Sequence, residues 1–133
     1  GYKLTMEIDF KHPAFVSACQ KKTVDMFVDS YDKGVSRART FGFMEDMVSL
    51  QKNNLAKGAS LDNAVGFDKD TLVNPPLRYH DEPVTHKVLD AIGDLSLLGS
   101  ALCGEFIGYC SGHTLNKMLV DKLIANPSTW TYI

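Results

Sequence analysis

The sequence predicts an α+β domain: a two-layer sandwich of helices on a mainly antiparallel sheet, with a small strand-rich insert. Three observations carry that expectation. Apolar residues alternate over the first ten positions, the pattern of a strand with one buried face. A later stretch repeats apolar residues at helical spacing. Several strand-like segments also lie too close in sequence for a helical crossover between each pair. With 133 residues, 44% apolar and 23% charged, the chain is long enough to bury the core of a single domain. Its 14 Lys and Arg against 16 Asp and Glu give a net charge of -2, with no broad positive field for a nucleic-acid backbone.

The first strand covers residues 2–10, with Tyr2, Leu4, Met6, Ile8 and Phe10 on one face, and Lys11-His12-Pro13 interrupts it. A second strand is expected over residues 21–28, with Val24, Met26 and Val28 on one side. Asp29 or Ser30 then caps a helix running towards Arg39, which Thr40-Phe41-Gly42-Phe43 breaks. Met44, Met47, Val48 and Leu50 mark an amphipathic helix ending near Asn53-Asn54. Residues 58–79 hold Gly58, Gly66, Pro75 and Pro76 around short apolar runs at 63–67 and 71–73, which reads as short strands joined by turns. Asp81 as cap and Pro83 in the first turn open the strongest helix, whose face of Val84, Val88, Leu89, Ile92, Leu95 and Leu98 runs to Gly99. Residues 101–109 form a strand thinned by Gly104 and Gly108. Ser111 or Gly112 opens a last helix through Leu115, Met118, Leu119 and Leu123, ended by Asn126-Pro127.

The three cysteines, Cys19, Cys103 and Cys110, lack paired CxxC spacing, which argues against a disulfide framework or a cysteine-built zinc site and fits a reducing cytoplasm. No apolar run approaches the roughly 18 residues of a membrane span. Gly1 stands where an initiator methionine is expected and reads as a cut inside a longer protein.

Chemistry concentrates on the long helix. His86, Asp90 and Asp94 follow at intervals of four residues, so successive members are offset by only about 40° around the axis. An imidazole nitrogen and a carboxylate oxygen on successive turns form a two-ligand clamp for zinc. A surface pair with ordinary helical electrostatics is the plainer reading of the same spacing. Ala91 and Gly93 between them keep the helix slim enough for another backbone or a substrate to approach. His113 lies at a Ser111-Gly112-His113 strand-to-helix junction, where free N–H groups suit anions; a helix-start residue without chemistry is the alternative.

Four motifs carry a resemblance: Ile8-Asp9-Phe10-Lys11-His12-Pro13, then residues 36–43 (SRARTFGF), 86–95 (HKVLDAIGDL) and 111–116 (SGHTLN). In order and over nearly the whole chain, they resemble the second, C-terminal domain of the zinc-dependent UDP-3-O-acyl-N-acetylglucosamine deacetylases of lipid A biosynthesis (LpxC). The resemblance implies removal of acetate from UDP-3-O-(3-hydroxyacyl)-N-acetylglucosamine. It makes His86 and Asp90 two of three protein ligands to Zn2+, the third histidine and a glutamate base belonging to a first domain that has no counterpart here. The 133 residues alone are then catalytically incomplete. Thr40 is implied at the reacting carbonyl, His113 in charge stabilisation and protonation of the leaving amine, and Asp94 in orienting His113. Lys87 would meet the diphosphate and Phe41 the nucleotide or sugar, though Phe41 reads equally as core. Met47, Ala56, Ser60 and Ala64 match positions lining an acyl-chain passage, built partly from the inserted segment 58–79. His80 and His12 are poor substitutes for the missing ligand.

Three departures bear on binding: Cys110 stands where a lysine is common, Lys117 where a second asparagine follows Asn116, and Asn74-Pro75-Pro76 where an acidic, glycine-containing turn is usual. The alternative from another class is a noncatalytic module that binds a nucleotide sugar or an acyl chain.

Overall fold

A computed structural model describes residues 1–16 and 19–133. Strand β1 (Tyr2–Glu7) forms the middle of a three-stranded sheet, between β2 (Lys21–Asp25) and β5 (Gly104–Tyr109). The alternation read in the sequence sends Leu4, Met6 and Ile8 to the buried face, each at most 4% exposed. The α+β class holds, but the pairing is mixed instead of mainly antiparallel. β1 runs antiparallel to β2, with Leu4 opposite Val24, and parallel to β5, with Leu4 opposite Phe106. A parallel pair needs a crossover, and the chain supplies one through the long helix α3 (Glu82–Ser96) that lies on the sheet. The spacing between neighbouring segments carries no information about this long-range partner.

A second, two-stranded sheet joins β3 (Thr40–Phe43) in parallel to β4 (Ala64–Phe67), and the crossover between them contains α2 (Met44–Lys52). The residues expected only to break a helix thus form a strand. The helix expected from Ser30 to Arg39 is a single turn, α1 (Tyr31–Gly34), with the Ser30 hydroxyl accepting from the Lys33 N–H. Beyond it, residues 37–40 dock against the start of α3 and extend. The second strand is also shorter than expected, because Asp25 turns the chain: its carboxylate accepts from Phe27 N and its carbonyl from Val28 and Asp29 N. The strand-rich reading of residues 58–79 contracts to β4 and one bridge between Phe67 and Leu72. There the Asn74 amide substitutes for a neighbouring strand, accepting from Gly66 N and donating to the carbonyls of Leu61 and Ala64.

α3 begins after Asp81 and has Pro83 in its first turn, as the sequence predicts. The Asp81 carboxylate makes no cap, however; it accepts from Lys22 Nζ and the Thr85 hydroxyl. The helix presents Val84, Val88, Ala91 and Leu95 to Leu4, Met6, Ile8, Val24, Val35 and Val120, which form the core. Each fully buried aliphatic side chain of this kind contributes about 1.5–3 kcal/mol through lost apolar surface. α4 (His113–Ala125) packs on α3 and is followed by a 3-10 turn, Pro127–Thr129. Its buried residues are Asn116 and Val120, while Leu115, Met118 and Leu119, which periodicity assigns to its apolar face, lie exposed. Beside the core, Phe10, Phe15, Phe41, Phe43, Phe67 and His12 form an aromatic cluster that ties the end of β1 to the small sheet, its closest pair being Phe15–Phe67 at 4.5 Å.

Candidate functional site

One stripe of α3 carries Glu82, His86, Asp90 and Asp94, one residue per turn. His86 is held from two sides. Its Nδ1 lies 2.9 Å from the Ala38 carbonyl, to which it donates, and its Nε2 lies 3.2 Å from Asp90 Oδ1. His113, the first residue of α4, reaches across so that Nδ1 donates to Asp94 Oδ2 at 2.8 Å while Nε2 lies 3.9 Å from Asp90 Oδ1. The Asn116 amide, one turn into α4 and 2% exposed, donates to the same Asp94 oxygen at 2.9 Å. Asp94 is therefore fixed from two directions, and its partner ring stays exposed at one edge.

The electrostatics follow from this geometry. Burial disfavours the charged form of His86, but the hydrogen bonds to Asp90 and Ala38, with the Asp90 charge, outweigh it and raise the imidazole pKa above its ordinary value. Burial pushes Asp90 the other way, and the His86 hydrogen bond and charge, then the charges of His113 and Lys87, bring it below the usual carboxylate range.

The donor set fits half a zinc site. Tetrahedral zinc, with bonds of about 2.0–2.2 Å to nitrogen and oxygen, holds two such ligand atoms about 3.4 Å apart; His86 Nε2 and Asp90 Oδ1 stand at 3.2 Å. The hydrogen bond to Ala38 occupies Nδ1 and leaves Nε2 as the ligand atom, the usual outer contact of a metal-binding histidine. Among the described residues no group of three His, Cys, Asp or Glu side chains could hold a metal. His80 is exposed, with Nε2 4.0 Å from Asp81 Oδ2, and His12 is engaged at both nitrogens, with Asp68 O and Ala14 N, inside the aromatic cluster.

A sequence profile for the family described as UDP-3-O-acyl N-acetylglycosamine deacetylase (LpxC) matches residues 1–125. The chain belongs to this deacetylase family. It is 53% identical over 134 residues to a UDP-3-O-acyl-N-acetylglucosamine deacetylase of Coxiella burnetii (strain CbuK_Q154), covering 100% of this chain and 44% of that protein. The chain thus spans less than half the length of this curated relative.

The remaining residues singled out by the deacetylase motifs fall into two groups. Near the histidines, Lys87 is half-buried beside a groove of about 360 Å3 lined by Ile8, Asp9, Phe10, Cys110, Ser111 and Gly112. Thr40 is exposed and opens β3, two residues beyond the carbonyl that holds His86. On the small sheet, Phe41 is half-buried in the aromatic cluster, 5.5 Å from Phe10, so packing is part of its role. Ala64 sits directly opposite Thr40, whereas Met47 lies on α2 and Ala56 and Ser60 on the turns after it. The Ser60 hydroxyl is engaged locally, accepting from Asp62 N. Sequence reasoning missed Asn116 and Glu82 as neighbours of the site. Extending the four-residue stripe one step upstream would have reached Glu82; Asn116 sits one helical turn beyond His113.

Proposed function

We propose that this chain is the second domain of a zinc-dependent deacetylase that hydrolyses the N-acetyl group of UDP-3-O-(3-hydroxyacyl)-N-acetylglucosamine, the amide hydrolysis that commits this sugar to lipid A, in the cytoplasm. The observation that carries the proposal is the His86–Asp90 clamp with the Asp94–His113 couple one turn further on, in a chain whose residues 1–125 match the deacetylase family.

His86 and Asp90 would hold the zinc, with a third ligand and the general base supplied from elsewhere in the longer protein. When bound, zinc polarises the acetamide carbonyl and acidifies water. The rest is done by this chain's own groups. The Thr40 hydroxyl donates to the oxygen on which charge develops. His113 delivers the proton from Nε2 to the departing amine, and Asp94 on Nδ1 keeps Nε2 facing the site. Lys87 and the uncapped N–H groups at the start of α4 attract the diphosphate. Met47, Ala56, Ser60 and Ala64, with segment 58–79, border the acyl chain.

The test is a deacetylase assay of the full-length protein on the acylated UDP-sugar, with and without a chelator. Activity lost to chelation and restored by zinc is expected; absent or metal-independent activity overturns the proposal. Only two metal donors come together among the described residues, which leaves the noncatalytic binding module as the competing reading. That reading requires saturable UDP binding by a full-length protein that shows no turnover.

A further inference from the structure

The most deeply buried charge in the described residues is unused in the chemistry above. Glu82 is 0% exposed and is paired with Arg39, whose side chain is 11% exposed. Both carboxylate oxygens are saturated: Oε1 accepts from Arg39 N and Nε, each at 2.9 Å, and Oε2 from Arg39 Nη2 at 3.0 Å and Arg78 N at 2.7 Å. Arg39 Nη2 also reaches the Pro76 carbonyl at 3.1 Å, and Arg78 Nη1 the Arg37 carbonyl at 3.0 Å. These bonds lash residues 37–39 and 76–78 to the first turn of α3. One turn further along the same stripe, the Ala38 carbonyl receives the His86 Nδ1 proton.

We infer that the Arg39–Glu82 pair is a positioning element for the metal site: it sets the register of residues 37–40 on α3 and thereby orients His86 and Thr40. This rests on the zinc reading above. A buried ion pair adds little net stability once desolvation of both charges is counted, and its best-attested use is to fix one register among several. Here the alternatives are easily counted. A slip of residues 37–40 by one position withdraws the Arg39 fork and its N–H from Glu82 and leaves the buried carboxylate without a counter-charge, held by the Arg78 N–H alone, which is strongly unfavourable. With the fork seated, Ala38, the preceding residue, faces His86, and Thr40, the following one, enters β3 opposite Ala64. Two groups of the proposed site are thus aligned by a pair that touches neither metal nor substrate.

The experiment compares Glu82→Gln, Arg39→Lys and Lys22→Met in the full-length protein. Three quantities are read: the zinc dissociation constant by chelator competition, the ring NMR signals of His86 in metal-free protein, and kcat and KM separately. Lys22→Met removes a second ion pair at the head of α3, Lys22–Asp81, whose side-chain hydrogen bonds among the described residues join Lys22, Asp81 and Thr85 and do not reach residues 37–40. Glu82→Gln and Arg39→Lys are expected to weaken zinc binding about tenfold or more, the usual effect of losing an outer-shell partner. They should also broaden or shift the His86 ring signals and lower kcat more than they raise KM. Lys22→Met should lower the unfolding midpoint but leave the zinc constant within about twofold, since it removes no partner of a ligand.

Folded Glu82→Gln and Arg39→Lys proteins with wild-type zinc affinity and His86 signals would overturn the inference. So would an equal zinc effect in Lys22→Met, or failure of both pair variants to fold, since each reduces the pair to general support of α3. Should the wild-type protein bind no zinc, it is the metal-site reading that fails; the His86 ring signals of the variants then decide the positioning role alone.

Discussion

At the scale of single residues, Gly108 and Cys110 flank the turn into α4 and lead to opposite predictions. A Cβ on Gly108 would stand 2.6 Å from Ser111 Oγ and 2.8 Å from Met6 Sδ, inside the core face of β1. Gly108→Ala should destabilise the protein by about 1–3 kcal/mol, the usual cost of overpacking, visible as a lower urea midpoint at unchanged slope. Cys110 has a left-handed backbone, φ 46, which any L residue shares at comparable strain, so Cys110→Lys adds no new backbone cost. It adds a cation to the groove that already holds Lys87. If the diphosphate lies there, UDP should bind the full-length protein about fivefold tighter, matching roughly 1 kcal/mol for one partly solvated charge-assisted contact; an unchanged titration would place the diphosphate elsewhere. The sequence made His86, Asp90 and Asp94 legible because helical geometry converts a spacing of four into proximity. It left Asn116 illegible. What makes Asn116 important is the crossing of α4 over α3, which puts its amide on Asp94.

At the scale of elements, the same distinction separates α3 from α1 and β3. α3 is long and amphipathic, and its local pattern decides its form. Residues 37–39 are governed by what they dock against: Tyr79 Oη, Glu82 and His86 extend the chain that local propensity assigns to a helix. Glu82 gives this docking a measurable signature. Burial would raise its pKa, but hydrogen bonds from Arg39 and Arg78 and the Arg39 charge overcome that and hold it below the ordinary 4.5. A folded-state pKa below the unfolded one contributes stability that is complete above the unfolded value and is lost as pH falls through the folded value. The protein should therefore lose unfolding free energy as pH falls below the ordinary carboxylate value, and Glu82→Gln, already less stable at neutral pH, should show a flatter acid limb. Equal acid slopes in urea titrations of the two proteins would show that Glu82 is not the group responsible.

At the scale of the whole molecule, the chain spans less than half the length of the relative it matches, and the proposed chemistry needs groups from outside its 133 residues. The apolar positions Leu115, Met118 and Leu119 of α4 were legible as a face, but periodicity reveals a face without revealing its cover, and here they stand 52%, 52% and 37% exposed. The proposed metal site has the same character: two candidate donors at the right separation and no third among the described residues. Metal affinity depends on the number of preorganised ligands, because each further donor binds without a new loss of translational freedom. The isolated chain should therefore bind zinc at least about a hundredfold more weakly than the full-length protein in chelator competition, as expected for loss of an entire ligand where an outer-shell partner alone costs about tenfold to a hundredfold. Replacing His86 by alanine should abolish what binding remains, since a single carboxylate is left. Equal affinity of fragment and full-length protein would mean that a third donor lies within this chain, and would remove the need for the rest of the protein at the metal.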